Sequence, residues 1–267
     1  MLAANSVGLG LRFQHFNEII SCEPQTPWFE VIADDFLSQG PHYEKLETVS
    51  QKYPIVMHSV GLNIGGVQDF DPIVLSQFRA IYERFNPLWI SDHLCWSAHN
   101  GHYHHDLLPI PKTKEALKHV CNRINFLQDF FSRNLCIENI TSYIDFEKED
   151  YSEIDFLLNI IDTTKCRLLL DVSNIIINHR NRQLDPETYL NLIPVELVQQ
   201  VHLAGGESDE GVIIDSHSTK VPKQDIDYLK SLKERGLKAP VLIERDAQLP
   251  DFKTLENERK AIEKALA

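Results

Sequence analysis

The chain has 267 residues, 43% of them hydrophobic and 24% charged, with a formal net charge of -13. These proportions are ordinary for a globular protein, and an acidic surface repels phosphate backbones, which argues against a general nucleic-acid binder. No run of about 18 apolar residues could cross a membrane, no basic segment followed by an apolar run opens the chain as a signal peptide would, and no linker or internal repeat divides it.

Taken in chain order, short apolar runs at residues 7–11, 28–33, 55–59, 88–91, 135–138, 167–171, 200–203 and 241–244 predict eight strands. Segments with helical periodicity lie between them, at 42–51, 71–85, 114–132, 152–163, 186–193 and 223–235, and a last amphipathic stretch covers 251–267. Thr113 is placed as an N-cap, and Pro222 can open the helix at 223. Alternating strands and helices imply a parallel sheet. Eight such units in a length close to the roughly 250 residues of a TIM barrel point to a single closed (β/α)8 domain covering residues 1–267. The competing open, doubly wound sheet normally carries a Gly-rich phosphate loop after its first strand, whereas Gly8-Leu9-Gly10 lies inside the strand itself.

The active site of a TIM barrel forms at the C-terminal ends of its strands, so the residues at those ends carry the chemistry. The third strand ends at His58 and the fourth is followed by Asp92 and His93. The fifth ends in Glu138-Asn139, and the sixth in Asp171 with Asn174 three residues on. The seventh carries His202, a loop then presents Asp215-Ser216-His217, and the eighth ends in Glu244 with Asp246 next but one. Burying several carboxylates together is costly without counter-charge, and only Arg12 and Arg245 are near enough in sequence to supply it. A lone strand-end histidine is more often a structural residue, and a lone aspartate such as Asp171 is often a helix N-cap. The set argues otherwise: His, Asp and Glu without Cys suit iron, manganese or zinc. More than seven candidates exceed one ion's needs, which favours two or three metals bridged by a carboxylate such as Glu138.

Two further features are weaker. His99, His102, His104 and His105 surround Asn100-Gly101, a tight-turn pair, and predict a small hairpin or loop over the rim that carries metal ligands, faces the substrate as a lid, or is simply solvated. Cys22, Cys95, Cys121, Cys136 and Cys166 are scattered, odd in number and without a C-x-x-C pair, which reads as reduced thiols in a cytoplasmic protein.

The chain resembles the multinuclear non-haem iron-dependent oxidative enzymes, the family whose type member acts in methanobactin biosynthesis. The resemblance rests on Gly8-Leu9-Gly10-Leu11-Arg12, Phe29-Glu30-Val31, His58-Ser59-Val60-Gly61-Leu62, Ser91-Asp92-His93-Leu94, Asp106-Leu107-Leu108-Pro109, Glu138-Asn139, Leu170-Asp171-Val172-Ser173-Asn174, Val201-His202-Leu203-Ala204-Gly205, Asp215-Ser216-His217 and Ile243-Glu244-Arg245-Asp246. These run in family order along nearly the whole chain. The resemblance implies a TIM barrel of the xylose-isomerase-like kind and a site of two or three irons in mixed Fe(II)/Fe(III) states, with O2 as co-substrate. It implies His58, His93, Glu138, Asp171, Asn174, His202, Asp215, His217 and Glu244 as metal ligands. Asp246 would act in catalysis by proton transfer or bind a labile third iron, and Asp92 would orient its neighbours. The family often shows Glu-Asn after the second strand, where this chain has Asp34-Asp35, so no role transfers to that pair.

The implied substrate is a cysteine of a ribosomally synthesised precursor peptide, oxidised to an oxazolone with a thioamide or to another cysteine-derived product. A small companion protein that binds the peptide leader is the implied partner. Two rivals stand beside this reading: a divalent-metal-dependent isomerase or hydrolase of the xylose-isomerase-like barrels, and a metal-handling binding protein without turnover.

Overall fold

A computed structural model describes residues 2–38 and 40–266. Eight strands close into a parallel barrel: β1 (Val7–Gly10), β2 (Phe29–Ile32), β3 (Ile55–Ser59), β4 (Ile90–His93), β7 (Leu135–Glu138), β8 (Arg167–Asp171), β9 (Val198–Leu203) and β12 (Val241–Ile243). Around the ring the order is β1-β12-β9-β8-β7-β4-β3-β2, so β1 pairs with both β2 and β12 and no edge is left open. Two antiparallel hairpins interrupt the alternation at the rim: β5 (Trp96–His99) with β6 (His102–Leu108), and β10 (Gly205–Asp209) with β11 (Val212–Thr219). The helical layer comprises α1 (Phe16–Cys22), α2 (Tyr43–Ser50), α3 (Pro72–Phe85), α4 (Lys114–Phe131), α5 (Glu153–Thr164), α6 (Val172–Asn181), α7 (Pro186–Leu190), α8 (Lys223–Glu234) and α9 (Phe252–Leu266).

Helix starts follow local chemistry. The Asp71 carboxylate accepts from the Ile73 amide at 2.7 Å with Pro72 at the first helical position, and the Thr113 hydroxyl accepts from the Ala116 amide at 3.1 Å. On α4, Val120, Cys121, Ile124, Leu127 and Phe131 are buried and form one stripe against the sheet.

Side chains two residues apart on a strand share a face, and this alternation builds the barrel interior. Trp28 and Glu30, Val56 and His58, and Leu242 and Glu244 are such pairs, apolar towards the floor and polar towards the rim. Trp28, Val56 and Leu242 form a buried cluster of their own, closed from below by Leu2 and Trp89. Gly8 leaves the room for the Trp28 indole: a Cβ there would stand 2.4 Å from a ring carbon. Gly8→Ala is therefore expected to destabilise the protein by about 2–3 kcal/mol, the cost of overpacking a filled core, read as a lower urea midpoint at unchanged slope.

Several expectations need correction. The fourth strand spans Ile90–His93 rather than 88–91, because Pro87 precedes a half-exposed Leu88 and the chain turns inward only at Ile90. His93 is thus within the strand, not after it. Asp215 and His217 lie in strand β11 rather than in a loop. Two helices were not expected, α1 and α6; the latter starts from Asp171, whose carboxylate accepts from the Asn174 amide at 2.7 Å. The Asn100-Gly101 hairpin is as expected, with both residues at positive φ, 49° and 75°. The last residue of the expected terminal helix, Ala267, and the side chain of His105 lie outside the described residues.

Candidate metal centre

The inward residues at the rim meet over the middle of the barrel. His58, His93, Glu138, Asp171, His202 and Glu244 are all buried. Together with His217 and Asp246 they form three groups whose donor atoms lie within 4.8 Å of one another: His58–His93–Glu138, Glu138–Asp171–His202–Glu244, and His217–Glu244–Asp246. In the first, Glu138 Oε2 is 3.1 Å from His58 Nε2 and 3.3 Å from His93 Nε2, and the two imidazole nitrogens are 3.2 Å apart. In the second, His202 Nδ1 lies 3.3 Å from Glu138 Oε1 and 2.9 Å from Glu244 Oε2. In the third, His217 Nδ1 is 2.8 Å from Asp246 Oδ2 and 3.7 Å from Glu244 Oε2. Glu138 and Glu244 each belong to two groups, so two carboxylates join the three groups into a row.

The donor set fits metal ions on two grounds. Ligands that share one ion at about 2.0–2.2 Å stand roughly 3–3.5 Å from each other, and contacts of 2.9–3.3 Å link the donors of His58, His93, Glu138, His202 and Glu244. These atoms also do not satisfy one another. Glu138 Oε2, Asp171 Oδ2, His202 Nδ1, Asp215 Oδ1 and His217 Nε2 are buried without a hydrogen-bond partner among the described residues. Close approach without hydrogen-bond alignment means the lone pairs converge on a common space, and native proteins rarely leave such groups unpaired.

Electrostatics point the same way. Burial alone would lower the His58 pKa, yet Glu138 pushes it up to about 9, whereas burial takes His93 down to about 4. Against the penalty of burial, His93, His202 and His58 hold Glu138 well below the usual carboxylate range, and His202 and His217 do the same for Glu244. Asp171 is driven up by burial and then by Glu138 and Asp215. Without an ion the buried Glu138 and Glu244 lean on neighbouring imidazoles for counter-charge, and a bound cation supplies it without protonating its ligands. Arg12 contributes little to the middle group: its Nε donates to Asp246 Oδ1 at 2.9 Å and its Nη2 stays 3.7 Å from Glu244. Arg245, the other candidate counter-charge, points away and donates to the Ser218 carbonyl and to Glu258.

Asn174 and Asp215 meet at the Thr141 hydroxyl next to the groups. Asn174 Oδ1 and Asp215 Oδ2 both face the Thr141 hydroxyl, at 2.6 and 2.8 Å, and Asp215 Oδ1 is 2.8 Å from His217 Nε2. His217 itself has φ 46°, a left-handed conformation uncommon outside glycine. Asp92 Oδ2 accepts from the Leu62 amide at 3.0 Å and Oδ1 from the His93 amide at 2.6 Å, which ties the ends of β3 and β4 together. Asp34 accepts from the Val60 amide at 3.0 Å and so supports the same loop.

One residue beside the centre stands in a motif of the sequence but is given no role there. Glu30, fully buried on β2, reaches across the barrel to within 3.1 Å of His202 Nε2. Its signal was an acidic residue inside the apolar run 28–33. A cleft of about 520 Å³ opens elsewhere on the rim between the loop after β7 and helices α6 and α7, with Leu94, Ile110, Leu157 and Tyr189 among its walls. None of the grouped donors lines it, so the chemistry belongs to the cluster.

The model of the RiPP precursor modification enzymes MbnB/TglH/ChrH matches residues 6–267, which is nearly the whole chain. The protein belongs to that family. The UPF0276 protein of Acaryochloris marina (strain MBIC 11017) is 36% identical over 256 residues, covering 96% of this chain and 92% of that one. The UPF0276 protein of Caulobacter vibrioides (strain NA1000 / CB15N) is 37% identical over 266 residues, covering 98% and 95%. Among solved structures, a xylose isomerase-like TIM barrel protein from Mycobacterium smegmatis in complex with magnesium superposes with a TM-score of 0.64 at 12% identity over 100% of both chains. Endonuclease IV from Thermus thermophilus gives 0.62 at 13% identity over 98% of both. At such identity these likenesses establish the fold, a xylose-isomerase-like barrel. Membership in the MbnB/TglH/ChrH family makes the protein a RiPP precursor modification enzyme, and no helix among its described residues is long and apolar enough to cross a membrane.

Proposed function

We propose that this MbnB/TglH/ChrH family member is an iron- and O2-dependent oxidase. Its substrate would be a cysteine of a ribosomally synthesised precursor peptide, converted to an oxazolone with a thioamide or to another cysteine-derived product. The observation that carries this reading is the row of three donor groups joined by Glu138 and Glu244. A single-ion isomerase or hydrolase has no need of the first group, His58–His93–Glu138.

His58, His93 and Glu138 would hold one ion, and Glu138, Asp171, His202 and Glu244 a second. His217, Glu244 and Asp246 would hold a third, with Asp215 and Asn174 completing the ligand set. Bound iron would supply a thiolate acceptor and one-electron chemistry toward O2. The chain's own residues do the rest. Buried Glu138 and Glu244, each shared by two donor groups, would hold neighbouring ions, and Asp92 holds the His93 backbone through its amide. Asp246, 42% exposed and 2.8 Å from His217 Nδ1, is the carboxylate open to the mouth. Its Oδ2 is the acceptor for the proton that a cysteine thiol sheds on binding. The five cysteines are free and four are buried, which suits a reducing cytoplasm. A small companion protein that presents the peptide leader completes the proposal; no nucleic acid or membrane enters it.

The test is to supply iron during expression, count bound metals by mass spectrometry and record Mössbauer spectra of the same sample. The loaded enzyme is then given precursor and companion with and without O2. Two or three irons per chain, including a coupled ferric–ferrous pair, and a peptide mass change only in air are expected. Zinc or manganese alone after iron-rich growth, or the same peptide mass in both atmospheres, overturns the oxidase and favours the isomerase or hydrolase.

A further inference from the structure

Beneath the donor groups a buried hydrogen-bond chain runs from the barrel floor to His202. The indole Nε1 of Trp89, just below β4, lies 2.5 Å from Gln200 Oε1 on β9. An indole N–H can only donate, so the oxygen of the Gln200 amide must face it, and the amide cannot flip. Gln200 Nε2 is thereby turned to the other side, where it donates to Glu30 Oε2 at 2.5 Å. The same Oε2 stands 3.1 Å from His202 Nε2. Gln200, His202 and Glu30 are each wholly shielded from solvent, so water does not compete for these bonds.

The two nitrogens of His202 thus face different worlds. Nδ1 looks up, toward Glu138 Oε1 and Glu244 Oε2, and has no aligned hydrogen bond. Nε2 looks down, where Glu30 Oε2 is its only acceptor among the described residues; the other neighbour, Gln200 Nε2 at 2.8 Å, is a donor. A neutral imidazole carries its proton on one nitrogen and a lone pair on the other, and which is which is set by the bond the non-ligating nitrogen makes. We propose that Glu30, held in place by Gln200 and Trp89, is a positioning residue that keeps the His202 proton on Nε2 and so presents Nδ1 as a metal donor. This rests on the metal centre proposed above. The competing tautomer, with Nε2 accepting the second Gln200 hydrogen and Nδ1 protonated against the carboxylates, would turn a donor away from the middle group. With an ion on Nδ1 only the Nε2 proton remains on the ring, and Glu30 Oε2 is the oxygen within reach of it.

The test uses zinc, a diamagnetic probe, on the full chain. In wild-type protein loaded with zinc, two-bond proton–nitrogen correlation of labelled histidines is expected to show His202 protonated at Nε2. Glu30→Gln removes the charge at nearly constant volume. One zinc is expected to bind 10–100-fold more weakly, the usual worth of a partner to a metal-bound histidine, while the ion at His58 and His93 keeps its affinity. In the zinc-loaded variant the His202 Nε2 proton is expected to resonate upfield of its wild-type position, because an amide oxygen accepts more weakly than a carboxylate. Trp89→Phe, which keeps an aromatic ring and deletes the N–H, shifts both readouts the same way by a smaller factor. Circular dichroism shows whether each variant folds. Unchanged affinity for every zinc and an unchanged Nε2 proton position in zinc-loaded Glu30→Gln overturn the proposal; should that variant unfold, the same result in Trp89→Phe does so. A wild-type protein that binds no metal removes the metal centre and this proposal together, whereas wild-type binding with unaltered variants removes only the latter.

Discussion

Glu138→Gln protein is expected to purify with at least one metal ion fewer per chain than wild type and to leave the precursor peptide unmodified. The two oxygens of Glu138 address different groups, Oε2 toward His58 and His93 at 3.1 and 3.3 Å, Oε1 toward His202 at 3.3 Å. An amide of the same shape offers one oxygen, no charge, and an NH2 that points at histidine nitrogens meant to carry lone pairs. Partners that merely support a ligand are worth 10–100-fold in metal affinity or activity. Loss of a bridging ligand is therefore expected to exceed about 100-fold. Metal analysis after gel filtration and the mass of the reacted peptide provide the check. A variant that keeps both its metal count and its turnover shows that Glu138 bridges nothing.

Asp171→Asn is expected to act with opposite sign in the two states of the protein. With metal removed by a chelator, the variant should be the more stable one at neutral pH. Asp171 is fully buried, and burial, then Glu138 and Asp215, raise its pKa far above the ordinary carboxylate value. A raised folded-state pKa means that the contribution of this group to stability is complete below its unfolded value, about 3.9. It is lost as pH climbs through the folded value. At pH 7 the metal-free wild type therefore carries the cost of a crowded buried group, and a neutral amide removes it, for a gain of about 1–3 kcal/mol. The gain disappears below about pH 4, where the wild-type carboxyl is protonated in both states. The helix cap is not at issue, because asparagine caps as well as aspartate and the bond from the Asn174 amide is kept. With iron bound the order reverses, since an ion held more weakly stabilises the folded state less. Melting curves with and without chelator, at neutral and acid pH, measure both. A variant less stable than wild type without metal at neutral pH refutes the account.

The barrel itself was legible because its evidence is local. A strand buried on both faces must be a short apolar run, and eight such runs with helices between them admit few arrangements. The strand-end residues were legible for a related reason. A polar side chain is tolerated in an apolar run only where the strand leaves the core, which is why His58, Glu138, Asp171 and Glu244 stood out. Glu30 did not, since it interrupts the middle of a run and its partner, His202, is 172 residues away. Asp215 and His217 were visible as residues but not as parts of a hairpin strand, because β11 pairs with β10 outside the barrel and follows no barrel periodicity. Arg245 looked like a counter-charge by its position beside Glu244, yet adjacent residues on a strand face opposite sides, and it turns outward to Glu258.

By itself, then, the amino-acid order determined the family, the number of barrel units and the rim that carries the donors, all of which follow from side-chain periodicity and short motifs along one strand or helix at a time. How the donors divide into three groups was decided only when the barrel closed, as was the sharing of Glu138 and Glu244 between groups. The same closure settled which nitrogen of His202 faces them. Those are relations between strands that sit across an enclosed space, set by register and by the reach of side chains over its interior, and no pattern along a single strand records them.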